Sequence, residues 1–172
     1  MVRLITITAI ISLLSISFSG CSKSPKPDQP DETFYIDLTP EEVRGNIGDT
    51  LILTGSINSV KNLFAISFDL VFDTTVVAFQ SLALPQGNIL GQNSISFSNG
   101  IDGGVSISLG RIQTGANDNI SASGSLFEIN FTASGEGSTE ILYQNIYIID
   151  QDGVENEDLE NIVAHSAQVQ VN

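Results

Sequence analysis

The sequence predicts an all-β fold in which eight or nine short antiparallel strands form two sheets packed face to face. Two observations carry this. From Phe34 onward apolar and polar residues alternate at period two, and glycine- or aspartate-bearing turn signals interrupt the alternation at short intervals. Successive side chains of a strand point to opposite faces, so each strand offers one face to a core and one to water. Many such strands need a second sheet to cover the apolar face, which makes a β-sandwich.

The first thirty-odd residues lack this texture. Val2-Arg3 gives a short basic start, residues 4–14 (LITITAIISLL) are apolar apart from Thr6 and Thr8, and small residues lead to Cys21, the single cysteine. This is the layout of an export signal with a lipoprotein cleavage box. Residues 1–20 are the expected signal peptide and Cys21 the expected lipidation site. Residues 21–32 hold the lipidated cysteine and a proline-rich tether, SKSPKPDQPDE, which in polyproline geometry spans roughly 30 Å. Residues 33–172 form the expected domain. Membrane association then comes from the acyl chains at a bacterial cell envelope, and Ser22, where an aspartate would mark inner-membrane retention, favours the outer membrane or cell surface.

The strands follow in order. Phe34, Ile36 and Leu38 share one parity. Pro40-Glu41-Glu42-Val43 is the only hint of a helical turn. Leu51 and Leu53 follow the Gly48-Asp49 turn. Residues 64–72 (FAISFDLVF) are the clearest strand, with Phe64, Ile66, Phe68, Leu70 and Phe72 on one face and Ala65, Ser67, Asp69 and Val71 on the other. Residues 76–82 are a further candidate. Residues 95–97 and 105–109 read as two strands around a glycine-rich reversal at 99–104. Phe127, Ile129 and Phe131 alternate again. Residues 141–149 form a strand whose apolar parity shifts near Gln144-Asn145, which predicts a bulge. Ala167, Val169 and Val171 close the chain.

The net charge of −14 comes from 20 acidic and six basic residues, and only Arg3 of all these lies in the first twenty positions. A polyanion partner needs a basic stripe, so nucleic acid is excluded, as is direct adsorption to anionic lipid. With Cys21 lipidated no disulfide can form, and packing alone must hold the domain. There is no tryptophan and nine phenylalanines outnumber three tyrosines, which suits a dry core better than a polar catalytic cleft.

No enzyme chemistry is expected. His165 is the single histidine, with no second histidine or free thiol for a zinc site, and reads as a surface residue. Asp49, Asp73, Asp102 and Asp118 read as turn residues; a glycosidase needs two carboxylates about 5 to 9 Å apart across a cleft. The acidic loop from Asp150 to Glu160 offers oxygen ligands, with Asp150, Asp152 and Glu155 as candidates for a structural calcium, although its spacing fails the EF-hand pattern: Ile148 and Leu159 would occupy ligand positions. An acidic solvated loop with a turn at Asp152-Gly153 is the simpler reading. Tyr35 and Tyr147 lie opposite their apolar neighbours and are the candidates for an exposed sugar-binding platform.

Three stretches carry a resemblance. Gly48-Asp49-Thr50-Leu51-Ile52-Leu53 opens an early strand. Residues 63–73 (LFAISFDLVFD), followed by Val76-Val77, form an aromatic-rich strand that ends in a turn, with Thr74 where proline is usual. Residues 124–133 (GSLFEINFTA), then Gly135 and Gly137, form a late strand and glycine turn, and Asp150-Gln151-Asp152-Gly153 fits the loop before the last strand. Together these resemble a cohesin domain, from roughly Tyr35 to the C-terminus. The resemblance implies jelly-roll topology and non-covalent capture of a protein partner, in the best-known members a dockerin domain. In dockerin-binding cohesins of the first type an asparagine and an aspartate on the outer face of the third strand make contacts; counting back from Asp73, those positions are Ala65 and Ser67 here. The expected partner-binding residues are therefore Ala65, Ser67, Asp69 and Val71. A carbohydrate-binding module that takes polysaccharide, and a purely structural envelope lipoprotein, are the alternatives.

Overall fold

A computed structural model describes residues 34–115, 118–156 and 162–172. The expected signal peptide, Cys21 and the tether lie outside the described residues, as do Glu157, Asp158 and Glu160 of the acidic loop.

The described chain forms eleven strands: β1 Tyr35–Thr39, β2 Glu42–Gly45, β3 Thr50–Leu63, β4 Ala65–Val71, β5 Val77–Ala83, β6 Ser94–Ile101, β7 Gly104–Arg111, β8 Ile120–Ala133, β9 Gly137–Ile149, β10 Val163–Ala164 and β11 Ala167–Val171. They make a five-stranded sheet in the order β10-β1-β3-β8-β5 and a six-stranded sheet in the order β2-β11-β9-β4-β7-β6. The two-sheet jelly-roll sandwich is as expected. The strand count is higher than eight or nine, and two edge pairings, β1 with β10 and β11 with β2, are parallel.

One extra strand replaces the expected helical turn. A four-residue segment gains too few internal hydrogen bonds to hold a helix. Instead Val43 lies beside Val169 in the ladder with β11, and the Gln168 N–H donates to the Glu41 carbonyl at 2.7 Å. The other is β10, whose Val163 N–H donates to Phe34 O.

Strands β3 and β8 are longer than the alternation suggests because bulges interrupt it. Ser59 and Asn62 take φ of 55° and 53°, and the register shifts around Val60. There the hydroxyls of Ser123 and Ser121 accept from the Ser59 and Asn62 N–H groups, so side chains stand in where the ladder is broken.

The core lies between the sheets. Phe68 of β4 packs on Phe127 of β8 with ring centroids 5.3 Å apart, and meets Tyr143 edge-on at 5.1 Å. Phe72 meets Phe131 edge-on at 5.0 Å. The four phenylalanine rings are buried and Tyr143 is partly buried against them, and edge-to-face contacts of this kind add to the hydrophobic term. Tyr143 spends its polar end across the sandwich: its hydroxyl donates to the Asp37 carbonyl at 3.1 Å. Burial, and next the nearby Asp37 carboxylate, push the phenol well above its ordinary range, so it stays a donor. The described strands and their shared core fall within residues 34–172.

Candidate protein-binding face

Strand β4 alternates as the sequence requires: Ile66, Phe68 and Leu70 are buried, while Ala65, Ser67, Asp69 and Val71 are half-buried on the outer face of the six-stranded sheet. Register places their neighbours. Reading across β6, β7, β4 and β9, the rows are Ile95, Gly110, Ala65, Ile149; then Phe97, Ser108, Ser67, Tyr147; then Asn99, Ser106, Asp69, Gln144; then Ile101, Gly104, Val71, Leu142.

The pattern of sizes makes a shallow trough. The two middle strands supply a floor of glycine, alanine and serine, broadened by Asp69 and Val71. The flanking strands supply walls of large side chains. Phe97 is 68 % exposed and Tyr147 54 %, and Ile95, Ile101, Leu142 and Ile149 are exposed as well. Large apolar groups gathered on one face, rather than scattered, mark an interaction surface.

The polar element of the floor is held in place. β9 carries the expected bulge: Ser67 faces Tyr147 while Asp69 faces Gln144, and Asn145 takes φ of 50°. The Asn145 amide then donates to Asp69 Oδ2 at 2.7 Å. Sequence parity places the four β4 residues and Tyr147 on outward faces but does not place Ile95 and Phe97. It shows which residues share a face, not which face meets the core, and β6 places Ile95 and Phe97 outward where a usual edge strand would place them inward.

The two candidate sugar-platform tyrosines do not come together. Tyr147 belongs to the trough wall on the six-stranded sheet, whereas Tyr35 lies on β1 of the five-stranded sheet, opposite buried Ile36, with its ring against His165 at 5.4 Å. Parity within a strand was read correctly for each, but strand-to-sheet assignment puts them on opposite sides of the sandwich. His165 is exposed, and its other fixed contact is its own N–H to Ile36 O.

The Asp150 carboxylate caps a turn: Oδ1 accepts from the Asp152 and Val154 N–H groups at 2.9 and 2.8 Å, and the Gly153 N–H returns to the Asp150 carbonyl. Asp152 and Glu155 are exposed. Among the described residues no three His, Cys, Asp or Glu side chains converge as metal ligands.

Among the described residues Asp118 is the one buried carboxylate, at 9 % exposed. Its Oδ2 accepts from the Thr114 and Gly115 N–H groups, which with the weaker pull of Arg111 hold it below the usual carboxylate range against the cost of burial. Arg111 donates to the Asp118 carbonyl, and the Asp118 N–H donates to Gln151 Oε1, so this network ties the β7–β8 loop to the β9–β10 loop. Asp73 is a turn residue, as expected. Its carboxylate is held low by the Thr75 hydroxyl first and the Thr75 N–H second.

A two-sheet jelly-roll sandwich with large apolar side chains gathered at the borders of one sheet face defines the class of module. The chain belongs to the cohesin domain family, whose model matches residues 36–171. Among solved structures it is similar to a non-cellulosomal cohesin from the hyperthermophilic archaeon Archaeoglobus fulgidus, at 18 % identity and TM-score 0.63 over 81 % of this chain and 91 % of that one. It is similar to a cohesin module from a Clostridium perfringens family 33 glycoside hydrolase, at 12 % identity and TM-score 0.64 over 82 % and 98 %. It is also similar to a type I cohesin–dockerin complex from Clostridium thermocellum, at 18 % identity and TM-score 0.62 over 82 % and 100 %. At these identities the likeness speaks for the fold. No curated protein sequence matches the chain.

Proposed function

We propose that the module captures a protein partner, a dockerin or dockerin-like domain, on the outer face of its six-stranded sheet, while a lipid on Cys21 holds it at the bacterial envelope. The observation that carries the reading is the trough: Ala65, Ser67, Asp69 and Val71 at its floor, with Phe97 and Tyr147 standing exposed on either side. Exposed aromatics that become fully desolvated dominate binding energy at protein interfaces. Family membership supports a binding role, and the Clostridium thermocellum relative is solved with a dockerin. Ala65 and Ser67 replace the asparagine and aspartate contacts of the first cohesin type, so affinity here rests on apolar contact around one hydrogen-bonding carboxylate, Asp69. The sugar-binding alternative loses its platform with the two tyrosines on opposite sides.

The test is a pull-down from an envelope extract with immobilised residues 34–172. Recovery of a dockerin-bearing protein by the wild type, and its loss in an Ala65→Arg, Tyr147→Ala variant that keeps its melting temperature, is the expected result. Undiminished capture by that variant excludes this face. For the anchor, the full chain should partition into the detergent phase and Cys21→Ala into the aqueous phase; equal partitioning excludes lipid on Cys21.

A further inference from the structure

Sheet edges expose unpaired backbone groups, and proteins guard them with charge, proline, bulges or brevity. Three of the four edges here are guarded. β10 has two residues, β2 has four and carries Glu42 and Arg44, and β5 is interrupted by a register shift between Phe79 and Ser81. The fourth, β6, is unguarded. Its eight residues, SISFSNGI, contain no charge and no proline on a chain of net charge −14, and its pairing with β7 runs from Ser94 to Ile101 without a shift.

The backbone groups at that edge can be assigned. Ile112 N–H donates to Asn93 O, and antiparallel pairs alternate between hydrogen-bonded and open. The pairs Ile95–Gly110, Phe97–Ser108, Asn99–Ser106 and Ile101–Gly104 therefore bond inward to β7. The N–H and C=O groups of Ser94, Ser96, Ser98 and Gly100 point to the open side, where Ser98 and Gly100 are exposed and a Cβ at Gly100 would meet nothing within 4 Å.

We infer that β6 pairs antiparallel with β6 of a second copy of this chain. The open groups admit two-fold registers that pair Ser94, Ser96, Ser98 and Gly100 among themselves, and the one centred on Phe97 has Ser96 and Ser98 exchange hydrogen bonds across the junction. Phe97 then faces its own mate in the open pair, where side chains approach most closely. That register sets the most exposed large apolar side chain among the described residues edge to edge with its own mate, leaving its trough-facing side open. It also joins two six-stranded sheets edge to edge, so both troughs lie on one continuous surface and the assembly is bivalent. The partner is a second copy because the edge is uncharged and self-complementary about Phe97. The contact is one strand wide and two acidic domains repel, so the dimer is weak and salt strengthens it. The inference stands whatever the trough binds.

Sedimentation velocity on residues 34–172 across a concentration series tests it. Dimer is expected at high protein concentration, with the dissociation constant falling on the order of tenfold between about 50 mM and about 500 mM NaCl as repulsion is screened. Ser98→Pro removes an outward N–H and no ladder bond, so it should give a monomer with a melting temperature close to wild type. Residues 34–172 contain no cysteine, and Phe97→Cys should oxidise to a disulfide-linked dimer while Asn99→Cys should not. A monomer at every concentration and salt, a dimer indifferent to Ser98→Pro, or equal cross-linking at 97 and 99 overturns the inference. The first of these results is also what an edge reserved for an extended peptide would give.

Discussion

Gly55 shows how much a single hydrogen atom decides. It faces Phe127 across β3 and β8, and a Cβ built there would come within 2.1 Å of that buried ring. Ala at this position must push Phe127 into the Phe68 contact, and Gly55→Ala is expected to cost about 1–3 kcal/mol in urea unfolding, since overpacked cores respond on that scale. Asp118 governs acid behaviour. Its folded-state pKa is depressed chiefly by the Thr114 N–H, so its stabilisation is complete above the unfolded value of about 3.9 and is lost as pH falls through the folded value. A scan of melting temperature from neutral pH downward should fall once pH drops below about 4, and less steeply in Asp118→Asn, which has no charge to lose. An acid limb unchanged by the substitution would remove Asp118 from that role.

At the scale of the element, the β9 bulge links local strain to the floor of the trough. Asn145 sits in the left-handed region and holds Asp69 by one hydrogen bond. Asn145→Ala should lose about 1–2 kcal/mol through left-handed strain added to the lost bond. Asn145→Gly keeps the backbone conformation at ease and should recover most of that loss, while still freeing Asp69. Equal stabilities for the two variants would mean the strain is absent. This bulge was legible in the sequence because the parity of residues 141–149 breaks at Gln144-Asn145. The bulges of β3 were not, since Ser56 to Lys61 is polar on both parities apart from Ile57 and Val60 and offers no alternation to break. β2 was misread for a related reason: four residues carry no period, and the β11 edge that captures them is over a hundred residues away.

At the scale of the molecule, the sandwich and its core could be read from alternation, and the β4 face with them. What alternation could not supply was the order of strands within each sheet. Tyr147 joined the face of Ser67, and Tyr35 left it, only because β9 pairs with β4 while β1 lies in the other sheet. Net charge acts at this scale too. A chain of −14 repels itself in the compact state, so adding salt from about 20 mM to about 300 mM should raise the melting temperature as the Debye length shrinks. The one ion pair among the described residues, Arg44 with Glu42, is exposed and contributes little against that trend.

The trough also works as a calliper. Its walls on β6 and β9 stand three strand spacings apart, about 14 Å at 4.7–4.9 Å each, and its floor from Ala65 to Val71 runs about 20 Å at 3.3 Å per residue. An α-helix with side chains measures about 10–12 Å across and covers that floor in about 13 residues. A single extended strand would rattle between Phe97 and Tyr147, and a second sheet would perch on them without reaching Ser67. For a partner bound there as proposed above, these backbone dimensions match about one helix in cross-section lying along the strands.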